Sequence, residues 1–243
     1  MASTRPRTNE NIYLFLTGTG YTRVLLAAAS LTYMKTHPKF CTFTYGISSL
    51  LDAVDGVAAR ALGQTSKFGA ILDMVTDRCA TSCLLCYLAS AYAPYALVFQ
   101  GLISLDFSSH YIHMYASLVS GSTSHKIVTK EQSWILWSYY NNSNTLFFFC
   151  AGNELFFVAL YLMSCYKTPL GLGALLTPEF VQALPLSWVK IIEALTWPQI
   201  IALVTFPVCA AKQIINCVQF YKASRVLVES DQEDRWLIQQ KKQ

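Results

Sequence analysis

Apolar residues fall into six long blocks, over 13–35, 40–62, 68–90, 95–119, 144–165 and 198–222. A helix needs roughly 20 such residues to cross the ~30 Å hydrocarbon core of a bilayer, and each block is long enough. The intervals carry turn and breaker residues: His37-Pro38, Gly63-Gln64-Thr65-Ser66, Ala93-Pro94, a polar stretch at 120–143 and a Pro/Gly-rich stretch at 167–197. The pattern predicts an all-α protein with six transmembrane helices, one membrane domain over 1–243 with a C-terminal tail at 223–243. Neither an internal repeat nor a low-complexity tract interrupts it. Phe180–Leu195, with Pro185 inside it, reads as an interfacial helix or a long loop. The mixed-charge tail reads as a solvated helix or a frayed end.

Composition sharpens this picture. Of 243 residues, 53% are hydrophobic and 13% charged, about half the charged fraction of a soluble domain. The first ten residues are polar, and the apolar run behind them exceeds a signal-peptide core, so no cleavable signal peptide is expected. The net charge of +4 is scattered, which argues against nucleic acid as a partner. With a cytosolic N-terminus, six spans place eleven lysines and arginines in cytosolic loops and four in the opposite ones, the sense expected of the positive-inside rule. The Asn141-Asn142-Ser143 glycosylation triplet then lies in the cytosol and stays bare. Cys83-x-x-Cys86 has a redox or zinc spacing but no second pair, and reads as helix packing.

The chemistry is concentrated between Leu51 and Asp77. Asp52 and Asp55 stand at i, i+3 on the second span; Asp73 and Asp77 stand at i, i+4 on the third. Each pair therefore occupies one helical face. A short turn joins the two spans, which makes them antiparallel neighbours. One aspartate at mid-span costs roughly 2.5–3.5 kcal/mol on the insertion scale, and four in one place repel one another as well. Divalent cations relieve both penalties, and hard carboxylate oxygens suit Mg²⁺ or Mn²⁺. The bland alternative is salt bridging to Arg60, Lys67 and Arg78. Gly56, Ala59, Gly69 and Ala70 keep a stripe free of bulk, open to a nucleotide or to close helix packing. Arg60, a turn beyond Asp55, is placed to grip a pyrophosphate.

The spacing Asp52-x2-Asp55-Gly56-x2-Ala59-Arg60-x8-Gly69-x3-Asp73-x3-Asp77 resembles the signature of the CDP-alcohol phosphotransferase family at every defined position. The resemblance covers most of the chain. It is strongest to eukaryotic members that accept inositol, through 68–79, 104–117, 121–126 and 150–157. It implies a six-span, dimeric protein in the endoplasmic reticulum membrane with its active site on the cytosolic side. It also implies two metal ions, Mg²⁺ or Mn²⁺, bound by Asp52, Asp55, Asp73 and Asp77, with Asp77 also the general base. CDP-diacylglycerol would meet Gly56, Arg60, Ser66 and Gly69. One departure stands on the first span. The family's Pro-Asn pair is missing before Gly20-x2-Arg23, where the stretch reads Leu16-Thr17-Gly18-Thr19.

The acceptor side is read from polar residues in later blocks. Asp106, His110 and His113 share a face of the fourth span, His125 and Lys126 follow in the next loop, and Asn153 and Glu154 sit within the fifth. Asp106, His110, His125 and Lys126 are the candidate contacts to myo-inositol; a satisfied intrahelical Asp106–His110 pair is the structural alternative. A phosphorylated acceptor would call for a tight cluster of basic residues, and the few present favour a neutral polyol. The expected reaction is phosphatidyl transfer from CDP-diacylglycerol to myo-inositol. Rivals are a relative taking serine, glycerol phosphate or an aminoalcohol, a cation transporter, and an inactive scaffold.

Overall fold

The computed structural model of the chain describes residues 10–61, 67–120, 133–171 and 185–241. Among these residues it is all-helical: α1 (Glu10–Thr32), α2 (Pro38–Ala61), α3 (Lys67–Ala91), a 3₁₀ turn at Ala93–Tyr95, α4 (Ala96–Val119), α5 (Trp134–Asn141), α6 (Ser143–Cys165), α7 (Leu186–Ala194) and α8 (Trp197–Gln240). One long helix falls on each of the six apolar blocks. Two of these, α6 and α8, are long and apolar enough to cross a membrane among the described residues.

The helix boundaries follow local chemistry. α2 opens on Pro38, whose missing N–H is no loss in a first helical turn. Ser133 caps α5 by accepting from Leu136 N at 3.3 Å, and Asn142 caps α6 by accepting from Asn144 N at 2.9 Å. Thr196 and Gln199 form a capping box at the start of α8, with Pro198 in its first turn. Pro185 precedes α7 as its N-cap, so the described part of the segment expected as interfacial helix or loop is helical from Leu186; residues 180–184 lie outside the described residues. α8 continues past the sixth apolar block to Gln240; its tail is helical, with Ala223 buried and 231–240 exposed. All eight cysteines stand outside disulfides, Cys83 and Cys86 included.

The chain divides into two compact units, 1–83 and 84–243, with the division inside α3. In the first, α1 packs along α2. Ser30 Oγ donates to Cys41 O at 2.9 Å, and Ser48 Oγ donates to Arg23 O at 3.2 Å. Gly20 lets α1 approach α3, because a Cβ there would lie 2.8 Å from Leu72 Cδ2. In the second unit α8 packs against α4 and α6, and α5 docks beside them through Leu136, Tyr139 and Ile215. Gly152 allows α6 and α8 to close up, since a Cβ there would meet Val208 Cγ1 at 2.5 Å. Outward faces are markedly apolar: Phe43 is 68% exposed, Leu97 81% and Leu203 73%. So large an apolar surface suits lipid rather than water.

Candidate active site

The first compact unit brings three of the four predicted aspartates together. Asp52 comes from α2, and Asp73 and Asp77 from consecutive turns of one face of α3. One carboxylate oxygen from each lies within 4.8 Å of the others. Carboxylates this close repel by roughly 3–4 kcal/mol per pair at an effective dielectric near 20, so the cluster requires positive charge.

That charge comes from Arg23 of α1. Its side chain is only 4% exposed. Nη1 donates to Asp73 Oδ1 at 2.7 Å, Nη2 donates to Asp77 Oδ1 at 2.6 Å, and Nη1 stands 2.6 Å from Asp52 Oδ1. Arg78 contributes at the edge, its Nη2 3.8 Å from Asp77 Oδ2. The sequence reading sought counter-ions in Arg60, Lys67 and Arg78; the central one is Arg23. The arginine gathers the three acids instead of neutralising them one by one. Among the described side chains, Arg23 and the more distant Arg78 are the guanidinium groups facing these three carboxylates.

These residues fit a divalent cation. Two oxygens on opposite sides of a magnesium-sized ion are about 4.2 Å apart, so a 4.8 Å cluster needs only small side-chain rotations. Asp52 Oδ1 is shielded from solvent and accepts no hydrogen bond in spite of its nearness to Nη1. Beyond that ion pair, a carboxylate oxygen keeps lone-pair capacity for a cation.

The other predicted residues divide by position. Gly56 on α2 and Gly69 on α3 are half-buried. Asp55, Ala59 and Arg60 belong to α2, but their side chains lie outside the described residues, as do Ser66, His125 and Lys126 altogether.

Asp106 and His110 belong to the second unit, where they meet a polar face of α8. His110 Nδ1 lies 2.8 Å from the Asp106 carbonyl, which can only accept, so Nδ1 carries the proton. The same nitrogen is 3.5 Å from Asp106 Oδ1. The intrahelical pairing is therefore present, and Asp106 is also engaged across helices: Asn216 Nδ2 donates to its Oδ1 at 3.4 Å. Lys212 Nζ donates to Asn216 Oδ1 at 2.6 Å and lies 5.1 Å from the centre of the Tyr139 ring. Gln213 Nε2 donates to Asn153 Oδ1 at 2.9 Å. Further along, Tyr140 Oη donates to Gln219 Oε1, whose Nε2 donates to Ser109 O, while His113 stacks on Tyr140. Lys212, Asn216 and Gln219 are each at most 3% exposed. Sequence reading missed them, although 212, 216 and 219 follow helical spacing inside an apolar block.

Comparison with known proteins converges on one group. The CDP-alcohol phosphatidyltransferase family profile matches residues 15–164. A Schizosaccharomyces pombe protein named CDP-diacylglycerol–inositol 3-phosphatidyltransferase is 53% identical, over 93% of this chain and 94% of its own length. Proteins of the same name from Candida albicans and Homo sapiens are 42% and 39% identical, each over 93% of this chain, and over 86% and 97% of their own lengths. No solved structure matches the chain.

Proposed function

The chain belongs to the CDP-alcohol phosphatidyltransferase family, and from that premise we propose that it transfers the phosphatidyl group of CDP-diacylglycerol to myo-inositol. The products are phosphatidylinositol and CMP. The observation that carries this reading is the convergence of Asp52, Asp73 and Asp77, oxygens within 4.8 Å, on chain positions that match the family signature. Similarity to inositol-specific relatives over nearly the whole chain supports the acceptor.

In this reading Asp52, Asp55, Asp73 and Asp77 hold two divalent ions, Mg²⁺ or Mn²⁺. Bound there, the ions supply positive charge against the pyrophosphate and the charge that develops on it. Gly56 and Gly69 leave room for the nucleotide, and Arg60 and Ser66 contact it. Asp77 takes the proton of an inositol hydroxyl. That oxygen bonds to the phosphorus bearing diacylglycerol, the bond from that phosphorus to CMP breaks, and CMP leaves. Positioning and preorganised charge do most of the work asked of the protein. Asp106, His110, His125 and Lys126 form the acceptor side.

The protein is a membrane protein. Six crossings, one through each long helix, suit the apolar outer faces of α2, α4 and α8. α1 to α4 carry more polar residues than α6, as expected of spans that build a polar site. Residues 1–243 form one membrane domain, with 223–243 as a cytosolic tail. The active site faces the cytosol in the endoplasmic reticulum, and the protein works as a homodimer.

The test is CMP release by the purified protein given CDP-diacylglycerol and a panel of acceptors. Inositol alone should support turnover, with serine, glycerol phosphate and ethanolamine at background. Release that follows any of those instead would reassign the acceptor.

A further inference from the structure

Arg23 has no part in the reaction as set out above, yet its guanidinium lies at the centre of the aspartates. Nη1 stands 2.6 Å from Asp52 Oδ1 and 2.7 Å from Asp73 Oδ1, and Nη2 stands 2.6 Å from Asp77 Oδ1. The arginine thus touches one oxygen of each of the three carboxylates that cluster within 4.8 Å. A divalent ion bound by these carboxylates would compete with the guanidinium for the same oxygens and lie close to its positive charge. The arginine is buried and the aspartate side chains are 31–37% exposed, so water screens that juxtaposition only in part and it is unfavourable.

Resting on the reading of these aspartates as metal ligands, we propose that Arg23 is an exchangeable counter-cation. It holds Asp52, Asp73 and Asp77 together before metal binds, and withdraws from at least Asp52 and Asp73 when a divalent ion enters. The backbone is suited to this. Ser48 binds the Arg23 carbonyl, and Gly20, one turn earlier, seats α1 close to Leu72. α1 can then stay in place while the long arginine stem swings. The arrangement preassembles ligands from α2 and α3 that would otherwise repel.

Linkage fixes the signature. A contact that stabilises only the metal-free state weakens metal affinity by the same factor. Removing Arg23 should therefore lower stability without metal and tighten metal binding. An arginine that merely braces the fold would leave affinity unchanged, and one that assisted the metal would weaken it on removal.

The experiment uses the full chain in lipid nanodiscs, with Mn²⁺ as the probe. Free Mn²⁺ is followed by electron paramagnetic resonance, and thermal unfolding is recorded with and without metal. Arg23→Gln is expected to unfold at lower temperature than the parent without metal, to regain that loss in Mn²⁺, and to bind Mn²⁺ at least tenfold more tightly. Arg23→Lys, which keeps a charge but offers one nitrogen in place of a two-nitrogen fork, should fall between. Unchanged or weaker Mn²⁺ binding in Arg23→Gln overturns the exchange while leaving the metal site intact. If Arg23→Gln cannot be recovered folded, Arg23→Lys decides by the same criterion. Absence of Mn²⁺ binding in parent and variants alike overturns the metal reading itself, and the exchange with it.

Discussion

Asp77 accepts from Arg23 through Oδ1 and faces Arg78 more distantly through Oδ2. It is the carboxylate given two duties, holding metal and removing the acceptor proton. General-base catalysis is typically worth ~10²–10⁴-fold. Asp77→Asn preserves the shape and removes the base. It should cut turnover at least a hundredfold (about 10²) and leave CDP-diacylglycerol binding within severalfold; single-turnover CMP release and a lipid-binding titration separate the two. Near-normal turnover would take Asp77 out of the base role. At this scale the acids were legible because carboxylates at i, i+3 and i, i+4 in apolar helices are costly and share a face. Arg23 was visible as Gly20-x2-Arg23, yet its partners lie 29, 50 and 54 positions away. Spacing along one helix says nothing about such pairs. The one available clue was general: a buried arginine in an apolar block must find anions. Lys212 and Asn216 escaped for the same reason, since their meaning depends on Asp106 and Tyr139 from other helices.

The long helices were legible because apolar length and breaker residues act locally. Pro38, Pro94 and Pro198 all stand in or beside a first turn, where a missing N–H costs least. The helix Trp134–Asn141 was hidden in a stretch read as polar. It is set by the Ser133 cap and by packing of Leu136 and Tyr139 on Ile215, neither of which a hydropathy pattern reports. How closely helices pack is a pairwise matter as well. Gly152 permits contact between α6 and α8 because its neighbour is Val208, a side chain with little freedom to turn away. Gly152→Ala should therefore destabilise the second unit by about 1–3 kcal/mol, the usual cost of overpacking. Adding Val208→Ala should recover much of the loss. Thermal unfolding of the two single variants and the double variant gives the coupling; strictly additive effects would mean that this contact does not set the helix spacing.

For the whole molecule, the apolar outer faces and the polar inner seams answer different demands. Lipid tolerates Leu97 and Leu203 on the outside, whereas polar groups removed from water must be paired inside the protein. Asp106, Lys212 and Asn216 meet that demand with one another in the second unit. In the first, Asp52, Asp73 and Asp77 gather on Arg23, and three carboxylates so close together suit a divalent ion. We propose that these carboxylates hold the catalytic metal. The most direct test is CMP release from CDP-diacylglycerol and inositol by the purified protein after exhaustive treatment with EDTA. Activity should fall to background and return when Mg²⁺ or Mn²⁺ is added back, but not with Na⁺ or K⁺. Full turnover in the metal-stripped protein would contradict the account.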